Sequence, residues 1–439
     1  MNRIILIGNG FDLAHGLKTS YKDFINNYWR DFAQKISNIF NPYEDEFVKF
    51  RTNGVLESQY DSMLATRYSV NNEKGYNYDA IINTFRQELI KDSSYANIKQ
   101  LISGFNEASD LKLDLSFKNS FFEQISEKNY EQNWVDIENE YYQTLIKIAI
   151  NNELGCVKTL NFDFEQIKNE LERFLTRSTE DKLYQEQKIK DLIYDKIKVC
   201  DFTKVGIDRL VEENIIQYSE GKEHEDKKAI DLYELIEEEK NEGLIKDDKE
   251  YFEREVGKTE VRPKSVLLLN FNYTNTTSKY LWESRSRKSE VIHIHGELNN
   301  PKNPIVFGYG DELDDDYKAI LKKNDNSLLE YVKSTKYAET NSYKKLLSFI
   351  ESDSYQIFIM GHSCGNSDRT LLNTLFEHKN CQSIKIFYHE NINKRGEKTD
   401  NFSDIYRNIM RNFTDFSELR AKVVDKTNSF PLPQAKKSS

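Results

Sequence analysis

The apolar residues of this chain form short runs that stop abruptly at glycine or polar residues. The first run, Ile4 to Ile7, is followed at once by Gly8-Asn9-Gly10. Later runs repeat this plan at residues 265–271 (SVLLLNF), 291–297 (VIHIHGE), 305–310 (IVFGYG) and 355–365 (YQIFIMGHSCG). Short apolar runs that end at glycine are typical of buried strands that stop at tight turns. The pattern therefore predicts an α/β protein with a mostly parallel sheet.

Helical spacing dominates between the first run and the second. Aromatic residues recur at steps of three and four residues, which is typical of one buried helix face: Tyr21, Phe24, Tyr28 and Phe32. Residues 133–150 also have the pattern of an amphipathic helix, whereas residues 41–77 are mixed and polar and predict surface loops. Residues 165–260 are rich in both lysine and acidic residues, so we expect exposed helices there.

These changes in pattern divide the chain into a core and a large insertion. We predict that residues 1–30 and 264–425 form the α/β core and that residues 31–263 form a mainly helical insertion. The charged, exposed part of this insertion is expected at about 165–260, and residues 426–439 are expected to be a C-terminal tail.

Composition narrows the class of protein further. The chain has 439 residues, a formal net charge of −11 and 13% aromatic residues, so it has ample material for a folded core, and its charge does not imply nucleic-acid binding. The cysteines are too scattered for a zinc ribbon or a disulfide framework: Cys156, Cys200, Cys364 and Cys381. Without a signal peptide or a long apolar stretch, we expect a soluble, cytoplasmic protein that does not bind a membrane.

The turn after the first run favours a nucleotide. Its spacing, Gly8-x-Gly10 with Gly16 six residues later, differs from the Gly-x-Gly-x-x-Gly of dehydrogenases. Glycine at such a turn can take a positive φ and leaves room for a phosphate beside the main chain. Asp12 or Thr19 could cap the helix that follows. A glycine turn that holds no ligand is the alternative interpretation.

Polar residues that could bind a ligand lie at two further predicted strands. Asn272, Tyr273 and Thr274 follow the run at 265–271, at the carboxyl edge where α/β sheets bind ligands. Alternation along the next strand places His293 and His295 on one face. A metal pair is one interpretation of His-x-His, but the first strand lacks the Asp-x-His that such sites also need, so we expect no metal.

The run at 355–365 ends in Gly361-His362-Ser363-Cys364-Gly365, which matches the Gly-x-Ser-x-Gly nucleophile elbow of α/β-hydrolases. A serine hydrolase centred on Ser363 would take its base from His378 or His389. This alternative leaves the asparagine turns and the His-Ile-His strand without roles.

Five motifs occur in a fixed order along the chain. They are Gly8-Asn9-Gly10-Phe11-Asp12, Trp134 with Glu138, Phe271-Asn272-Tyr273-Thr274-Asn275, His293-Ile294-His295-Gly296-Glu297-Leu298, and Gly361-His362-Ser363-x-Gly365-x-x-Asp368. Together they resemble the motif set of the bacterial abortive-infection AbiH family, from residue 4 to about residue 375. Cys364 stands where leucine is expected, at a position of packing. The resemblance implies defence against bacteriophage, with Trp134 and Glu138 in supporting positions.

A more distant similarity, to sirtuin-like proteins, indicates which reaction the motifs could catalyse. The first turn is similar to that of sirtuin-like proteins, Asn272 to the asparagine of their Asn-Ile-Asp motif, and His295-Gly296 to their catalytic His-Gly. The sirtuin zinc module is absent, as is the arginine after the first turn, where Tyr21-Lys22-Asp23-Phe24 stands. What remains resembles the sirtuin-like NAD hydrolases of phage defence, and it implies a sirtuin-like, Rossmann-type sheet with a large helical insertion.

This resemblance implies that NAD is a substrate, cleaved to nicotinamide and ADP-ribose, and that no cofactor is needed. Asn272 would orient water and His295 would accept a proton. The expected substrate-binding residues are Gly8, Asn9, Gly10, Phe11, Asp12, Tyr273, Thr274, His293, Gly296, Gly361, His362, Ser363 and Asp368. We expect a homo-oligomer that responds to a phage-derived or host trigger. A nucleotide sensor that binds without turnover is the alternative from the binding class.

Overall fold

The computed structural model describes residues 1–53, 78–108, 111–132, 135–179, 185–223, 227–255, 262–282, 288–392 and 396–434. The chain divides into two compact units. The first comprises Met1–Leu17, Thr179–Lys318 and Val332–Ser439, and the second comprises Lys18–Ser178 and Ala319–Tyr331.

The strands, in chain order, are β1 (Asn2–Ile7), β2 (Tyr43–Glu44), β3 (Val48–Asn53), β4 (Lys112–Phe117), β5 (Ser265–Asn270), β6 (Lys288–His293), β7 (Tyr355–Met360), β8 (Cys381–Tyr388), β9 (Glu390–Ile392), β10 (Lys398–Asp400) and β11 (Phe430–Pro431).

The first unit is built around a six-stranded sheet in the order β11-β8-β7-β1-β5-β6. Each pairing between these strands is parallel. Numbered along the chain within this sheet, the strands lie in the order 3-2-1-4-5-6, so the direction of winding reverses between β1 and β7. The prediction of an α/β protein with a mostly parallel sheet is confirmed.

Burial on both faces explains the continuous apolar runs. All six residues of β1 are buried, as are all six of β7. Ile4 and Leu6 belong to one apolar cluster, while Ile5 and Ile7 belong to the cluster on the other face. A strand covered on both faces favours continuous apolar residues, because neither face meets water, and the polar residues Arg3 and Gln356 hydrogen-bond to each other.

Helices cover the sheet from both sides. The α-helices described in the first unit are Asn9–Ala14, Gln187–Ile193, Lys204–Glu223, Lys227–Asn241, Asp248–Glu255, Asp315–Leu321, Lys333–Tyr337, Ser342–Ser352, Arg369–Glu377, Phe402–Asn412 and Phe416–Lys422. One cluster packs the helices at 342–352, 369–377 and 402–412 on the sheet, and the other packs the helices at 9–14 and 187–193.

Three features of this unit differ from the sequence prediction. Residues 305–310 form no strand, although Ile305, Val306 and Phe307 are buried; the backbone of Tyr309 makes only an isolated bridge to Val332. The helices between residues 187 and 255, which the sequence pattern assigns to the insertion, group with the sheet. The edge strand β11 lies within the segment expected to be the tail.

The second unit is mainly helical. Its helices are Tyr21–Lys35, Tyr78–Lys91, Tyr95–Ala108, Ser120–Gln132, Ile137–Ile150 and Val157–Thr179. The boundary between the units falls at the last residue of Val157–Thr179 and within Asp315–Leu321. The predicted aromatic face is confirmed at Phe24 and Phe32, which are buried. Ser20 begins this helix with a reciprocal capping box to Asp23.

A small antiparallel sheet was not predicted in this unit. Strands β2, β3 and β4 pair in that order, so the part of the 41–77 segment that is described forms a hairpin instead of loops. The remainder of that segment, residues 54–77, lies outside the described residues. No helix in the described parts of the chain combines the length and the apolar character needed to span a membrane.

Candidate functional site

The motifs found in the sequence converge at the carboxyl edge of the sheet. Segments at 8–10, 271–274, 294–296 and 361–368 follow β1, β5, β6 and β7 respectively, and the predicted glycine turn at 8–10 is the start of the helix Asn9–Ala14, with Gly8 at its N-cap. The carboxyl ends of parallel strands share one edge, and ligands of open α/β sheets bind there, at the point where the strand order reverses. In this sheet that point lies between the turns of β1 and β7.

The glycines of these two turns are required by close backbone packing. A Cβ atom on Gly8 would lie 2.6 Å from the Cα of His362. Gly361 has a φ of +79°, and a Cβ there would lie 2.1 Å from the nitrogen of Phe11. The amide of Gly10 donates to the carbonyl of Gly361 at 2.8 Å, and that of Phe11 donates to Gly8 at 2.8 Å. These two amides therefore already have protein acceptors.

Asn272 joins the turn of β5 to the turn of β1. Its Nδ2 donates to the carbonyl oxygen of Gly8 at 3.0 Å, and its backbone amide donates to Oδ1 of Asn270 at 3.0 Å. The backbone and the side chain of Asn272 are therefore each fixed by a hydrogen bond. Its amide oxygen is left as the acceptor that could orient a water or a hydroxyl.

Asp12 is buried beside this junction. The Thr274 hydroxyl donates to its Oδ2 at 2.6 Å, whereas its Oδ1 has no hydrogen-bond partner among the described residues. Burial raises the pKa of Asp12 to about 6, although hydrogen bonding from Thr274 opposes this shift. Oδ1 of the Asp12 carboxylate can therefore accept a hydrogen bond from a ligand.

The two histidines have different surroundings. Strand β6 ends at His293, so the alternation that predicted a shared face does not extend to His295. His293 receives a hydrogen bond at Nδ1 from Asn270 at 3.1 Å, and its Nε2 lies 3.4 Å from Glu297. Burial lowers the pKa of His293, and Glu297 opposes that shift. His293 therefore contributes to the packing between β5 and β6.

His295 forms the centre of the site. It is buried, and its Nε2 lies 3.1 Å from Oδ1 of Asp368 and 3.2 Å from the hydroxyl of Tyr337. The ring of Phe271 meets it edge-on at 5.1 Å between centroids. Burial lowers the pKa of His295 to about 4, the nearby cation of Lys333 lowers it further, and Asp368 opposes both effects. The imidazole is therefore neutral at physiological pH.

A buried lysine holds the charge of Asp368. Lys333 is almost inaccessible to solvent, and its Nζ lies 2.8 Å from Asp368 Oδ1. Burial alone would raise the pKa of Asp368, but Lys333 and His295 hold it well below its usual range. Because an ionised carboxylate only accepts hydrogen bonds, we infer that Nε2 of His295 carries the hydrogen. Its Nδ1 is then the atom that can accept a proton.

His362 completes this cluster. Its Nδ1 accepts a hydrogen bond from the amide of Cys364 at 2.9 Å, and its Nε2 lies 3.6 Å from Asp368 Oδ2. The ring of Phe271 lies 4.2 Å from that of His362, so Phe271 contacts both histidines. Cys364 is fully buried in the core, which confirms its predicted role in packing.

Lys333 and Tyr337 were not predicted. They are four residues apart in the short helix Lys333–Tyr337, so they share a helix face. The surrounding sequence, YVKSTKY, has the polar character of a surface helix and contains no glycine or strand-end signal. Lys333 is buried beside Gly310 and Asp368, which are distant from it in sequence.

The remaining predicted residues shape the turns. Gly296 has a φ of +80°, and a Cβ there would lie 2.0 Å from the carbonyl oxygen of Pro304. The hydroxyl of Tyr273 donates to Val306 at 3.2 Å. Asn9 is half-buried at the start of the first helix. These contacts fix the loops at the carboxyl edge of the sheet.

Ser363 does not have the geometry of a nucleophile elbow. The residues with positive φ in its turn are Gly361 and Cys364, while the elbow places this strain at the nucleophile. His378, one of the expected bases, contacts Tyr355 at the amino end of β7, which is the opposite end of the strand from Ser363. His389 is exposed and contacts Asn391. The match to Gly-x-Ser-x-Gly therefore reflects the packing of a glycine turn.

The structure does not test the predicted supporting pair, Trp134 and Glu138. Trp134 lies outside the described residues. Glu138 belongs to the second unit, where it is buried in the first turn of Ile137–Ile150 and follows Asp136, the residue that caps this helix. Their predicted role stays a prediction.

The fold and the site define an α/β protein with a buried His–Asp–Lys cluster at the carboxyl edge of a parallel sheet. Residues 4–390 match the family described as Bacteriophage abortive infection AbiH, and the chain belongs to this family. The resemblance inferred from the motifs is thereby confirmed, and the family suggests a role in abortive infection. No curated protein and no solved structure matches the chain, so the similarity to sirtuin-like proteins stays a prediction.

Proposed function

We propose that this AbiH protein is a phage-defence effector that hydrolyses NAD to nicotinamide and ADP-ribose on a sirtuin-like, Rossmann-type core. The observation that carries the proposal is the buried, neutral His295, whose Nε2 is fixed by Asp368 at the edge where Asn272 is fixed by Gly8. The strand order 3-2-1-4-5-6 supports it, because dinucleotide-binding Rossmann sheets have this order and bind at its switch point.

The chemistry requires a positioned base more than a nucleophile. The bond between C1′ of the ribose and the nicotinamide nitrogen breaks, and its electron pair leaves with the nicotinamide, which becomes neutral. Water then adds to the oxocarbenium carbon. Asn272 would orient this water through its amide oxygen, and Nδ1 of His295 would take its proton. The uncharged state of both groups avoids repulsion of the cationic centre.

The other residues of the edge would bind the dinucleotide. Asp12 has one carboxylate oxygen without a protein donor, which suits a ribose hydroxyl. The pyrophosphate would lie along the turn at 8–10, where Asn9 offers the only polar side chain. The amides of Gly10 and Phe11 contribute less than the glycine spacing implied, because they already donate within the protein.

The experiment is nicotinamide release from NAD by the purified protein, with and without extract from phage-infected cells. His295→Gln should lower the rate by about 100-fold or more, because the amide can still donate to Asp368 but cannot accept a proton. His389→Gln, at an exposed histidine away from the cluster, is the matched control and should retain the rate. Full activity in His295→Gln would contradict the assignment.

The pH dependence gives a second test. Because burial lowers the pKa of His295 to about 4, the base is neutral from about pH 8 down to about pH 5. In the Asp12→Asn variant, which lacks the other buried group of the edge that titrates near pH 6, acidification should therefore leave the rate of cleavage at saturating NAD unchanged until the pH approaches 4 and the imidazole gains a proton. A loss of rate centred near the ordinary histidine pKa would show that His295 is not the base in this environment.

A nucleotide sensor is the second candidate function. It is favoured by the hydrogen bonds at the carboxyl edge of the sheet. The amides of Gly10 and Phe11 donate within the protein, and Lys333 and Asp368 pair with each other, before any ligand binds. In this case the protein would bind NAD without turnover. Binding measured by calorimetry, with no nicotinamide released even in infected-cell extract, would favour the sensor over the hydrolase.

A further inference from the structure

A cavity opens beside the His295–Asp368 pair. Its volume is about 740 Å³, and Lys333, Asp368, Gly310 and Leu371 are among the residues that line it. The cavity is thus of the size that holds small-molecule ligands. None of the motifs in the sequence predicted it, because most of its walls come from residues 333–344.

Parallel aromatic rings lead from the histidine into this cavity. The rings of His295 and Tyr337 are within 10° of parallel, with centroids 6.3 Å apart. Those of Tyr337 and Tyr343 are within 5° of parallel, with centroids 5.5 Å apart. Both tyrosines line the cavity and are half-buried. Such rings offer a surface on which a flat heterocycle can stack.

The charged groups of the lining fit a ligand without phosphate at this position. The charge of Lys333 is paired with that of Asp368 at 2.8 Å. Glu339 is paired with Lys336 at 2.9 Å, so Glu312 and Lys344 bring one further charge of each sign to the lining. Since the lining has no excess of cations that would attract a phosphate, a neutral or cationic ring over the tyrosine faces fits it better than an anionic group.

We propose that this cavity binds the aromatic base of a nucleotide, stacked against Tyr343 and Tyr337, with the ribose of that base facing His295 and Asp368. The inference rests on the proposed function for the identity of the ligand as a nucleotide. It assigns the base to residues that lie outside all the recognised motifs. Nicotinamide and adenine share the required chemistry, and their mononucleotides distinguish them.

The test is calorimetric binding of nicotinamide mononucleotide and of AMP to the full chain. Tyr343→Leu removes the ring but keeps an apolar side chain, so the affinity for the mononucleotide that binds here should fall by roughly tenfold or more. Tyr343→Phe keeps the ring and is the matched control, whose affinity should stay within about twofold of the wild type. Loss with nicotinamide mononucleotide identifies nicotinamide as the base, and loss with AMP identifies adenine; either result supports the cavity.

A second measurement does not depend on the folding of the leucine variant. With 3-fluorotyrosine incorporated, Tyr343→Phe identifies the fluorine resonance of Tyr343 by its disappearance. The mononucleotide that binds should shift this resonance in the otherwise wild-type chain. Absence of binding by both mononucleotides, or binding that neither shifts this resonance nor weakens in Tyr343→Leu, would overturn the inference.

The two proposals can fail separately. If NAD is cleaved and Tyr343→Leu changes neither the KM nor the binding of mononucleotides, the base lies elsewhere and only the cavity assignment fails. If a mononucleotide binds through Tyr343 but NAD is not cleaved under any condition, the assignment of the cavity stands and the hydrolase proposal fails.

Discussion

At the scale of single residues, Asp12 illustrates a conflict between stability and binding. Its carboxylate is buried; the Thr274 hydroxyl donates to its Oδ2 at 2.6 Å, and hydrogen bonding from Thr276 and Asn272 also favours the charged form. These neutral donors do not offset the desolvation cost of the charge, and the pKa of Asp12 stays raised. Such a cost is expected where a ligand supplies the missing donor.

We predict that Asp12→Asn stabilises the protein at neutral pH. Because burial raises the pKa of Asp12 from 3.8 to about 6, the folded state binds its proton more tightly than the unfolded state. The stability from this proton is present in full below the unfolded pKa and is lost as the pH rises through about 6. Asp12→Asn should therefore gain up to about 3 kcal/mol at about pH 7.5, and about half of that at about pH 5.

Urea unfolding at the two pH values measures this difference. The change in the gain with pH is the decisive quantity, because a fixed effect of the amide on packing cancels in it. Asp404→Asn, at an exposed position, is the control and should change the free energy of unfolding by less than about 0.5 kcal/mol. A gain for Asp12→Asn that is equal at both pH values would contradict the raised pKa.

At the scale of elements, the backbone after β1 and the backbone after β7 pack directly against each other. Gly361 and Gly16 have nearly equal φ angles, +79° and +76°. An added Cβ at Gly361 would lie 2.1 Å from the nitrogen of Phe11, whereas at Gly16 it would meet no atom within 4 Å. Alanine substitutions at these two glycines therefore distinguish the cost of backbone strain, which both share, from the cost of steric crowding, which only Gly361 has.

We expect Gly16→Ala to destabilise the protein by about 1–2 kcal/mol, the cost of a left-handed conformation for alanine. Gly361→Ala should cost more than about 3 kcal/mol, because the first helix must also move away from the turn of β7. Urea unfolding of the two variants provides the comparison. An equal loss of unfolding free energy in the two variants would show that the backbone contact between the turns of β1 and β7 adjusts at no cost in stability.

The elements that the sequence predicted well are those with a local signal. Strands β1, β5 and β7 are continuous apolar runs because both of their faces are buried. Residues 305–307 have the same apolar character but are buried without joining a sheet, and Val306 donates instead to the carbonyl of His295. Burial alone therefore does not distinguish a strand from a packed loop.

The site was predictable to the same extent. Asn272, His295 and Asp368 follow strand ends and could be placed at one edge from the sequence. Lys333 and Tyr337 could not be placed, because their contacts with Asp368 and His295 join parts of the chain that are 35 and 42 residues apart and have no common pattern. The charge state of the site follows from these contacts and not from a motif.

At the scale of the whole molecule, the sheet unit is assembled from three separate segments of the chain. Asp201 connects two of them: its Oδ1 lies 2.7 Å from Nζ of Lys385 on β8, and its Oδ2 accepts from Gln356 on β7 at 3.2 Å. All three side chains are buried. The sequence pattern places Asp201 in the insertion, yet these contacts join it to the sheet.

We predict that Lys385→Met destabilises the protein by about 3–5 kcal/mol, because the carboxylate of Asp201 would stay buried without its cation. Asp201→Asn should also be costly, because it leaves the lysine charge unpaired. The double variant removes both charges and keeps an acceptor for Gln356, so its cost should be smaller than that of Lys385→Met alone.

Urea unfolding of the four proteins in this cycle measures the coupling between the two charges. The exposed pair of Lys318 and Asp315 is the matched control, where Lys318→Met should cost less than about 1 kcal/mol. If the costs of Lys385→Met and Asp201→Asn simply add, the two charges do not depend on each other. The segment around residue 201 would then be held to the sheet by its apolar contacts, such as those of Ile189 and Ile193, and not by the buried ion pair.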